Sequence, residues 1–322
     1  MQYRKMGKWG VRLSSVGLGS YLTIGFKLDE QQSRATVKAA YDLGINFFDT
    51  ADAYNNGEGE RVLGKCLKDY RRSSLFVITK VHAQMGPGPN DQGLSKKHIT
   101  EGCEASLKRL GMDYVDLYMC HRPDPLTPLE ETVRAMEDLA RQGKILYWGV
   151  SEWPAEMMAT ANGIARDIGA RGICVNQPRY SLLYRYPERN VFPTCAQEGI
   201  GNVIFSGLAH GMLTGKYKPG AEPPAGTRAA SDDTNMVLKA LYWTEENKQK
   251  SQTFAGIAKD LGTTPPTLAL AWCLRRPEVT STIIGATRAS QIEENVKAAD
   301  LVIPGDAQKK LDELFPMPKF GL

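Results

Sequence analysis

An acid and a phenol stand five residues apart in the segment FFDTADAYNNGEGE, residues 47–60. Asp49 closes an apolar run, and Tyr54 follows in a stretch that contains Gly and Asn. Two later apolar runs, VITKV and YMCH, carry Lys80 and His121 at or near their ends. A carboxylate, a phenol, an ammonium and an imidazole together can protonate an oxygen that gains negative charge, as in the reduction of a carbonyl group.

These four residue types have complementary roles in such a site. A free phenol has a pKa of about 10 and donates its proton poorly near neutral pH. An adjacent ammonium favours the phenolate, so we expect Lys80 to lower the pKa of Tyr54. Asp49 would supply the counter-charge that a buried ammonium needs, and His121 would hydrogen-bond the carbonyl oxygen. Each residue alone also has a plain structural explanation, and only the combination favours chemistry.

The elements that must position these residues follow from the hydrophobic pattern. Apolar runs alternate with segments of helical period, and the runs lie at 14–19, 45–51, 75–81, 114–121, 145–151, 173–177, 202–208 and 281–287. Apolar strands that alternate with helices are typical of a parallel sheet covered on both faces. Eight such units predict an α/β chain folded as one (β/α)₈ TIM barrel domain over residues 1–322. Site residues of such barrels lie at the carboxyl ends of the strands, where these four would converge.

Local signals add detail to the predicted barrel. The opening segment YRKMGKWGVRLSS predicts a β-hairpin at the N-terminal end of the barrel. Thr127 is expected to cap a helix that has Pro128 at its first position. A second helix is expected between Ser95 and Gly111, and a third is expected to start at Thr264. Two long connections rich in Gly and Pro, at 82–93 and 217–235, are expected to cover the site as lids.

Composition excludes several classes of function. The chain has 322 residues and a formal charge of +4 from 40 basic and 36 acidic side chains, without a long basic block, so nucleic acid is not expected as a partner. No apolar run is long enough to span a membrane, and no secretory signal begins the chain, so we expect a cytoplasmic protein. Six cysteines without a C-x-x-C pair and four histidines without an H-x-H arrangement predict no metal site. Assembly of the chain into a homo-oligomer is compatible with this composition.

Eight motifs carry a resemblance to a known family. They are GLGSY, FFDTADAY, VITKV, GMDYVDLYMCHRPD, GKILYWGVSEW, NQPRYSLL, GLAHGMLTGKY and IIGATRASQIEEN. In this order and spacing the chain resembles the aldo-keto reductases from Tyr3 to Asn295. It is similar to the branch that contains potassium-channel β-subunits and bacterial reductases of glyceraldehyde 3-phosphate and methylglyoxal. The resemblance implies NADPH-dependent reduction of small aldehydes or ketones to alcohols, with Asp49, Tyr54, Lys80 and His121 as a catalytic tetrad and Tyr54 as general acid.

The resemblance also implies a cofactor site for NADPH or NADP⁺. In it Ser151 and Gln177 would hold the carboxamide, Phe205 would stack on the nicotinamide, Arg228 would clamp the pyrophosphate and Arg288 would pair with the 2′-phosphate. The full set is Ser20, Tyr21, Asp49, Ser151, Gln177, Phe205, Ser206, Leu208, Gly211, Lys216, Arg228, Gly285, Arg288, Gln291, Glu294 and Asn295. The substrate pocket would be lined by Tyr21, His82 and Trp153, although Tyr21 and Trp153 fit plain packing equally well.

Three departures from the family pattern bear on the cofactor. Gly207 stands where relatives usually have proline, which predicts a more mobile turn. Phe205 stands where many relatives have Trp or Tyr, and Gln291 where some NADPH-specific relatives have Arg.

The alternative function is a cofactor-binding, redox-sensing regulatory subunit with little turnover. His121 argues against it, because animal channel subunits carry Asn there. The start of the chain close to its first strand is a second reason to expect an enzyme.

Overall fold

The computed structural model describes residues 1–318. Over these residues the strands are β1 Tyr3–Lys5, β2 Arg12–Ser14, β3 Val16–Gly19, β4 Phe47–Asp49, β5 Phe76–Val81, β6 Val115–Cys120, β7 Ile145–Ser151, β8 Val175–Gln177, β9 Gly201–Ile204 and β10 Val279–Ile284. The α-helices are α1 Glu30–Asp42, α2 Glu58–Leu67, α3 Lys96–Leu110, α4 Leu129–Arg141, α5 Ala155–Asp167, α6 Val191–Glu198, α7 Asp232–Tyr242, α8 Glu245–Asp260, α9 Pro265–Leu274, α10 Ala289–Asn295 and α11 Gly305–Leu314.

Strands β3 to β10 form a closed barrel in which each strand pairs with its neighbours in the sequence and β10 pairs with β3. All these pairs are parallel, and helices lie between successive strands. The predicted (β/α)₈ barrel is confirmed. The predicted hairpin is confirmed as well, since β1 and β2 pair antiparallel.

Alternation along the strands separates two apolar regions. Phe47, Ile78 and Leu117 belong to one buried cluster, which the barrel strands share with the hairpin residues Met6 and Leu13. Their sequence neighbours Phe48, Val77 and Tyr118 belong instead to the larger cluster formed with the helices. A period of two therefore aims alternate side chains inward and outward, and the hairpin closes the N-terminal end of the interior.

The hairpin turn fits closely against the barrel. Gly7 has φ +55°, and a Cβ at this position would lie 2.3 Å from the carbonyl oxygen of Gly199. Glycine is therefore required both by the left-handed backbone and by the close approach.

Two of the three helix starts predicted from the sequence agree with the structure. Ser95 accepts a hydrogen bond from the His98 amide at the start of α3, and Thr264 accepts one from the Thr267 amide at the start of α9. The predicted cap at Thr127 is wrong, because α4 begins after Pro128 without a side-chain cap. The Thr127 hydroxyl instead donates to Asp124 Oδ2 over 2.7 Å, so the nearby carboxylate holds the side chain away from the helix amides.

The two long connections are ordered by their own contacts. In the 82–93 connection Asp91 accepts hydrogen bonds from the amides of Met85 and Gly88. The 217–235 connection contains a short 3₁₀ helix, Arg228–Ala230, and runs into α7. Within residues 1–318 no helix has the length and apolarity needed to cross a membrane.

Two glycine-to-alanine substitutions are expected to have opposite effects on stability. Gly64 lies in α2 against α3, where an added Cβ would sit 2.2 Å from the Leu110 carbonyl oxygen, whereas exposed Gly256 in α8 has open space around it. We expect Gly64→Ala to lower the free energy of unfolding by about 1–3 kcal/mol. Gly256→Ala should raise it by roughly 0.5–1 kcal/mol, because alanine restricts the unfolded chain. Urea denaturation measures both, and equal effects would contradict the helix contact.

Candidate active site

Three of the four residues predicted to form a tetrad lie at the carboxyl ends of barrel strands, in the inward register. Asp49 lies two residues after Phe47, and Lys80 lies two residues after Ile78; both apolar residues face the barrel interior. His121 likewise follows Met119 by two residues and comes directly after β6. An even spacing keeps each polar side chain on the inner face, so the three strands deliver an acid, an amine and an imidazole to one mouth.

Lys80 lies at the centre of the mouth and is fully buried. Its Nζ donates to Asp49 Oδ1 and to the carbonyl oxygen of Thr50, each over 2.7 Å, and to the Tyr54 hydroxyl over 3.4 Å. The second oxygen of Asp49 accepts a 2.9 Å hydrogen bond from Gln177 Nε2. The ammonium therefore has three acceptors, and both carboxylate oxygens of its counter-ion have donors, as a buried ion pair requires.

The ionisation of Lys80 reflects two opposing effects. Burial lowers the pKa of Lys80, while the charge of Asp49 and its hydrogen bond act to raise it. The ammonium thus depends on Asp49 for its charge, which confirms the counter-charge expected from the sequence.

Tyr54 projects from the loop after β4 and is half-buried. Its ring lies between Tyr21 and His121, with centroid distances of 5.1 Å and 5.7 Å. Burial raises the pKa of Tyr54 well above 10, and the negative charge of Asp49 adds to this effect. The expectation of a lowered pKa is therefore wrong, because desolvation of the phenolate outweighs the positive charge of Arg122, which acts to lower the pKa.

The surroundings of His121 favour the neutral imidazole. Burial lowers the pKa of His121 well below its usual value, and the positive charges of Lys80 and Arg122 act in the same direction. Tyr54 and His121 thus both offer uncharged hydrogen-bonding groups around one charged pair. A carbonyl oxygen placed between them would have two donors and no nearby free negative charge.

Two acids beneath the tetrad were missed by the sequence interpretation. Asp52 is buried, its Oδ1 accepts from the Ala53 amide over 2.6 Å, and its Oδ2 has no partner among residues 1–318. Burial, reinforced by the charge of Glu60, raises the pKa of Asp52 to about 7. Glu60 itself accepts from the Thr79 hydroxyl and forms a salt bridge with Arg109. The signal for Asp52 in the sequence was the second acid of the motif DTADAY.

The residues expected to hold the carboxamide of a dinucleotide lie beside the tetrad. Ser151 ends β7 and Gln177 ends β8, and the Ser151 hydroxyl donates to the Gln177 carbonyl oxygen over 2.9 Å. Phe205 follows β9 directly and is half-buried. Ser20, at the end of β3, donates to the Thr50 hydroxyl over 2.8 Å.

Two of the residues expected to hold the pyrophosphate, Lys216 and Arg228, are cations on the connection after β9. Burial lowers the pKa of Lys216, and the charges of Arg228, Arg288 and Lys27 lower it further, so these four cations lie near one another. Within residues 1–318 no carboxylate forms a salt bridge with Lys216 or Arg228. Cations that lack a counter-ion are the donor set that a phosphate group needs, so the chain fits a phosphate-bearing cofactor here.

Other residues of the predicted cofactor set lie after β9 and β10. The Leu208 carbonyl oxygen accepts from the Gly211 amide, which closes the turn. Gly285 follows β10, and Arg288 immediately precedes α10. Gln291 Oε1 accepts from the Thr287 amide over 2.8 Å.

The last two members lie on α10. The Glu294 carbonyl oxygen accepts from the Thr267 hydroxyl, and the buried Asn295 Oδ1 has no partner in the described chain. Such an orphaned acceptor is suited to a ligand donor.

The three predicted substrate residues have different environments. Tyr21 is 41% exposed with its ring against Tyr54, and His82 is half-buried with a pKa that burial lowers. Trp153 is 2% exposed and packs in the large apolar cluster. Of the two alternatives for Trp153, the structure favours packing.

Gly207 is held in place by its neighbours. It is buried, and an added Cβ would lie 3.0 Å from Leu270 Cδ2 and 3.2 Å from Thr282 Oγ1. The predicted mobile turn therefore lies tightly against α9 and β10. No group of three or more metal-ligating side chains is found within residues 1–318.

Comparisons with known proteins give one consistent result. The model of the aldo/keto reductase family matches residues 15–315. The chain is 43% identical over 305 residues to a probable voltage-gated potassium channel subunit beta of Arabidopsis thaliana, and 42% identical over 305 residues to one of Oryza sativa subsp. japonica; each alignment covers 94% of this chain and 92% of the relative. A putative subunit of the same kind from Schizosaccharomyces pombe is 42% identical over 321 residues, with 97% and 92% covered.

Removing the Lys80 ammonium alone should destabilise the protein more than removing both charges of the ion pair. Lys80→Met leaves Asp49 buried without its counter-charge, so we expect the free energy of unfolding to fall by about 3–5 kcal/mol. The double variant Asp49→Asn with Lys80→Met removes both charges and should recover most of that loss. Urea denaturation of the two single variants and the double variant measures the coupling. Losses that simply add would contradict a buried, mutually dependent pair.

Asp52 should make stability depend on pH. A carboxyl whose pKa rises from 3.8 in the unfolded chain to about 7 in the folded protein contributes stability that is present below 3.8 and lost as pH rises through 7. The upper bound of that loss is roughly 4 kcal/mol. Asp52→Asn should therefore match the wild type in unfolding free energy near pH 4 and exceed it near pH 8. A difference that does not change with pH would show that Asp52 is already ionised in the folded protein.

Proposed function

This chain belongs to the aldo/keto reductase family, and from that membership we propose that it reduces small aldehydes or ketones to alcohols with NADPH. The observation that carries the proposal is the buried Lys80–Asp49 pair beside Tyr54 and His121 at the mouth of the barrel. These groups are suited to protonate an oxygen that becomes an alkoxide.

When bound, NADPH would supply a hydride to the carbonyl carbon. Tyr54 then donates its phenolic proton to the carbonyl oxygen, which becomes the alcohol hydroxyl. The raised pKa of Tyr54 keeps the proton in place until an alkoxide, a much stronger base, develops next to it.

Lys80 and His121 assist this proton transfer in different ways. The Lys80 ammonium, 3.4 Å from the Tyr54 oxygen, stabilises the phenolate that remains. The neutral imidazole of His121 orients the carbonyl oxygen toward Tyr54. Solvent returns the proton to Tyr54 after the product leaves.

The choice of NADPH is supported by the cations on the connections after β9 and β10. Lys216, Arg228 and Arg288 offer charge to a diphosphate and to a 2′-phosphate, and a guanidinium matches a phosphate dianion with two hydrogen bonds. Gln291 is held by the Thr287 amide, so Arg288 is our candidate for the 2′-phosphate contact.

The six cysteines are buried and unpaired, which supports a cytoplasmic location where thiols stay reduced.

A second candidate function rests on the names of the relatives. Three proteins at 42–43% identity are described as potassium channel β-subunits, so a regulatory subunit that binds the cofactor and turns over slowly is the alternative. His121 completes the donor set at the mouth, which favours the enzyme. The two functions make different predictions for turnover and the same prediction for cofactor binding.

Removal of one oxygen atom tests the proposed general acid. Tyr54→Phe keeps the ring between Tyr21 and His121 but removes the proton donor, so we expect turnover to fall by about 10²-fold or more with little change in NADPH affinity. Loss of NADPH absorbance with a panel of aliphatic and aromatic aldehydes measures turnover. Tyr41→Phe is the matched control, because its hydroxyl bonds Ser74 away from the site.

The outcome separates the two candidates. Tight binding of NADPH without turnover of any aldehyde would favour the regulatory subunit. Turnover that Tyr54→Phe leaves unchanged would remove Tyr54 from the mechanism.

A further inference from the structure

His210 contacts two of the residues that the proposed function assigns to the cofactor. It lies in the 3₁₀ turn Ala209–Thr214 that follows β9. Its Nε2 is 3.0 Å from the Ser206 hydroxyl, and its Nδ1 is 3.1 Å from Arg228 Nη1. The imidazole also stacks on Tyr242 of α7, at a centroid distance of 5.9 Å. One side chain thus joins the turn after β9 to the second long connection.

The chemistry of the partners fixes the direction of both hydrogen bonds. A guanidinium has only donors, so Nδ1 must be the unprotonated, accepting nitrogen. Nε2 therefore carries the ring proton and donates it to the Ser206 oxygen. Because that oxygen accepts from His210, the hydroxyl proton of Ser206 is left free to be donated elsewhere.

The neutral imidazole required by this pattern agrees with its surroundings. Burial lowers the pKa of His210 to about 3, and the charges of Arg228 and Arg179 act in the same direction. No carboxylate among residues 1–318 contributes to the shift. The ring therefore stays neutral, with its accepting nitrogen toward Arg228.

An unusual backbone path brings His210 to Ser206. Ser206, Ala209 and His210 have φ values of 59°, 47° and 56°, in the left-handed region that side chains other than glycine seldom adopt. This path turns the chain back, so that His210 reaches Ser206 four residues earlier. Backbone strain of this kind is commonly retained at ligand sites.

We propose that His210 is a positioning residue for an anionic diphosphate. It holds the Arg228 guanidinium over the turn and orients the Ser206 hydroxyl as a donor. The guanidinium and the hydroxyl then both donate hydrogen bonds to the same diphosphate. The inference rests on the proposed function, because the diphosphate is that of the nicotinamide dinucleotide. It adds a residue that the family resemblance did not assign.

Direct binding of nucleotides tests the proposal. The full chain is titrated with NADPH and, separately, with NADH, and intrinsic fluorescence reports the dissociation constant. His210→Phe keeps a ring against Tyr242 and loses both nitrogen contacts, so both constants should rise about tenfold. Their ratio should stay within twofold of the wild type, because the diphosphate is common to both nucleotides.

Two comparisons separate positioning from a structural role. His98→Phe applies the same change to a histidine of α3 and should leave both dissociation constants unchanged. His210→Asn places an amide oxygen near the position of Nδ1, so it should retain the acceptor for Arg228 and recover part of the lost affinity. Equal losses in His210→Phe and His210→Asn would overturn the proposal.

A double-mutant cycle gives the sharpest result. If His210 acts through Arg228, then adding His210→Phe to Arg228→Met should weaken NADPH binding by much less than tenfold. Strictly additive losses would overturn the proposal, as would wild-type affinity in His210→Phe. A wild-type protein that binds neither nucleotide would overturn the proposed function itself, which is a separate outcome.

Discussion

A buried ion pair is the constraint on which the site depends. The Lys80 ammonium and the Asp49 carboxylate come from neighbouring strands, and neither is exposed by more than a few per cent. Such a pair is tolerated only when nearly every polar atom is satisfied, and here Thr50 and Gln177 complete it. Because Gln177 ends β8, far along the barrel from β4, the pair is satisfied only when the sheet is closed. The full set of partners of the ion pair therefore depends on closure of the barrel.

The charged groups around Lys80 and those around Lys216 are arranged in different ways. Around Lys80 the protein supplies its own counter-ion, and the neighbouring Tyr54 and His121 remain uncharged. Around Lys216 several cations lie together without salt bridges to carboxylates in the described chain, and the neutral His210 contacts Arg228, one of them. The first arrangement suits a reaction in which charge appears briefly on the substrate, and the second suits a ligand that carries permanent negative charge.

The sequence predicted the barrel, and it predicted that Asp49, Lys80 and His121 meet at one end of it, because both depend on short-range patterns. Strand alternation places Asp49, Lys80 and His121 in the inward register, which can be read from the spacing to Phe47, Ile78 and Met119. What depends on burial could not be read. Burial raises the pKa of Tyr54, which was predicted to be lowered. The Thr127 hydroxyl donates to Asp124 and does not cap the helix, and Asp52 is a buried acid with one oxygen unpaired in the described chain. His210 was overlooked because its contact with Ser206 requires a left-handed turn of non-glycine residues.

The hairpin that closes the N-terminal end of the barrel has an evolutionary consequence. Met6 and Leu13 complete the interior at one end, while Asp49, Lys80 and His121 lie at the other. Changes in the long connections after β5 and β9 can therefore alter which molecules are accepted without disturbing the seal that keeps the barrel folded. The end closed by the hairpin and the end that carries the predicted site can therefore change independently of each other.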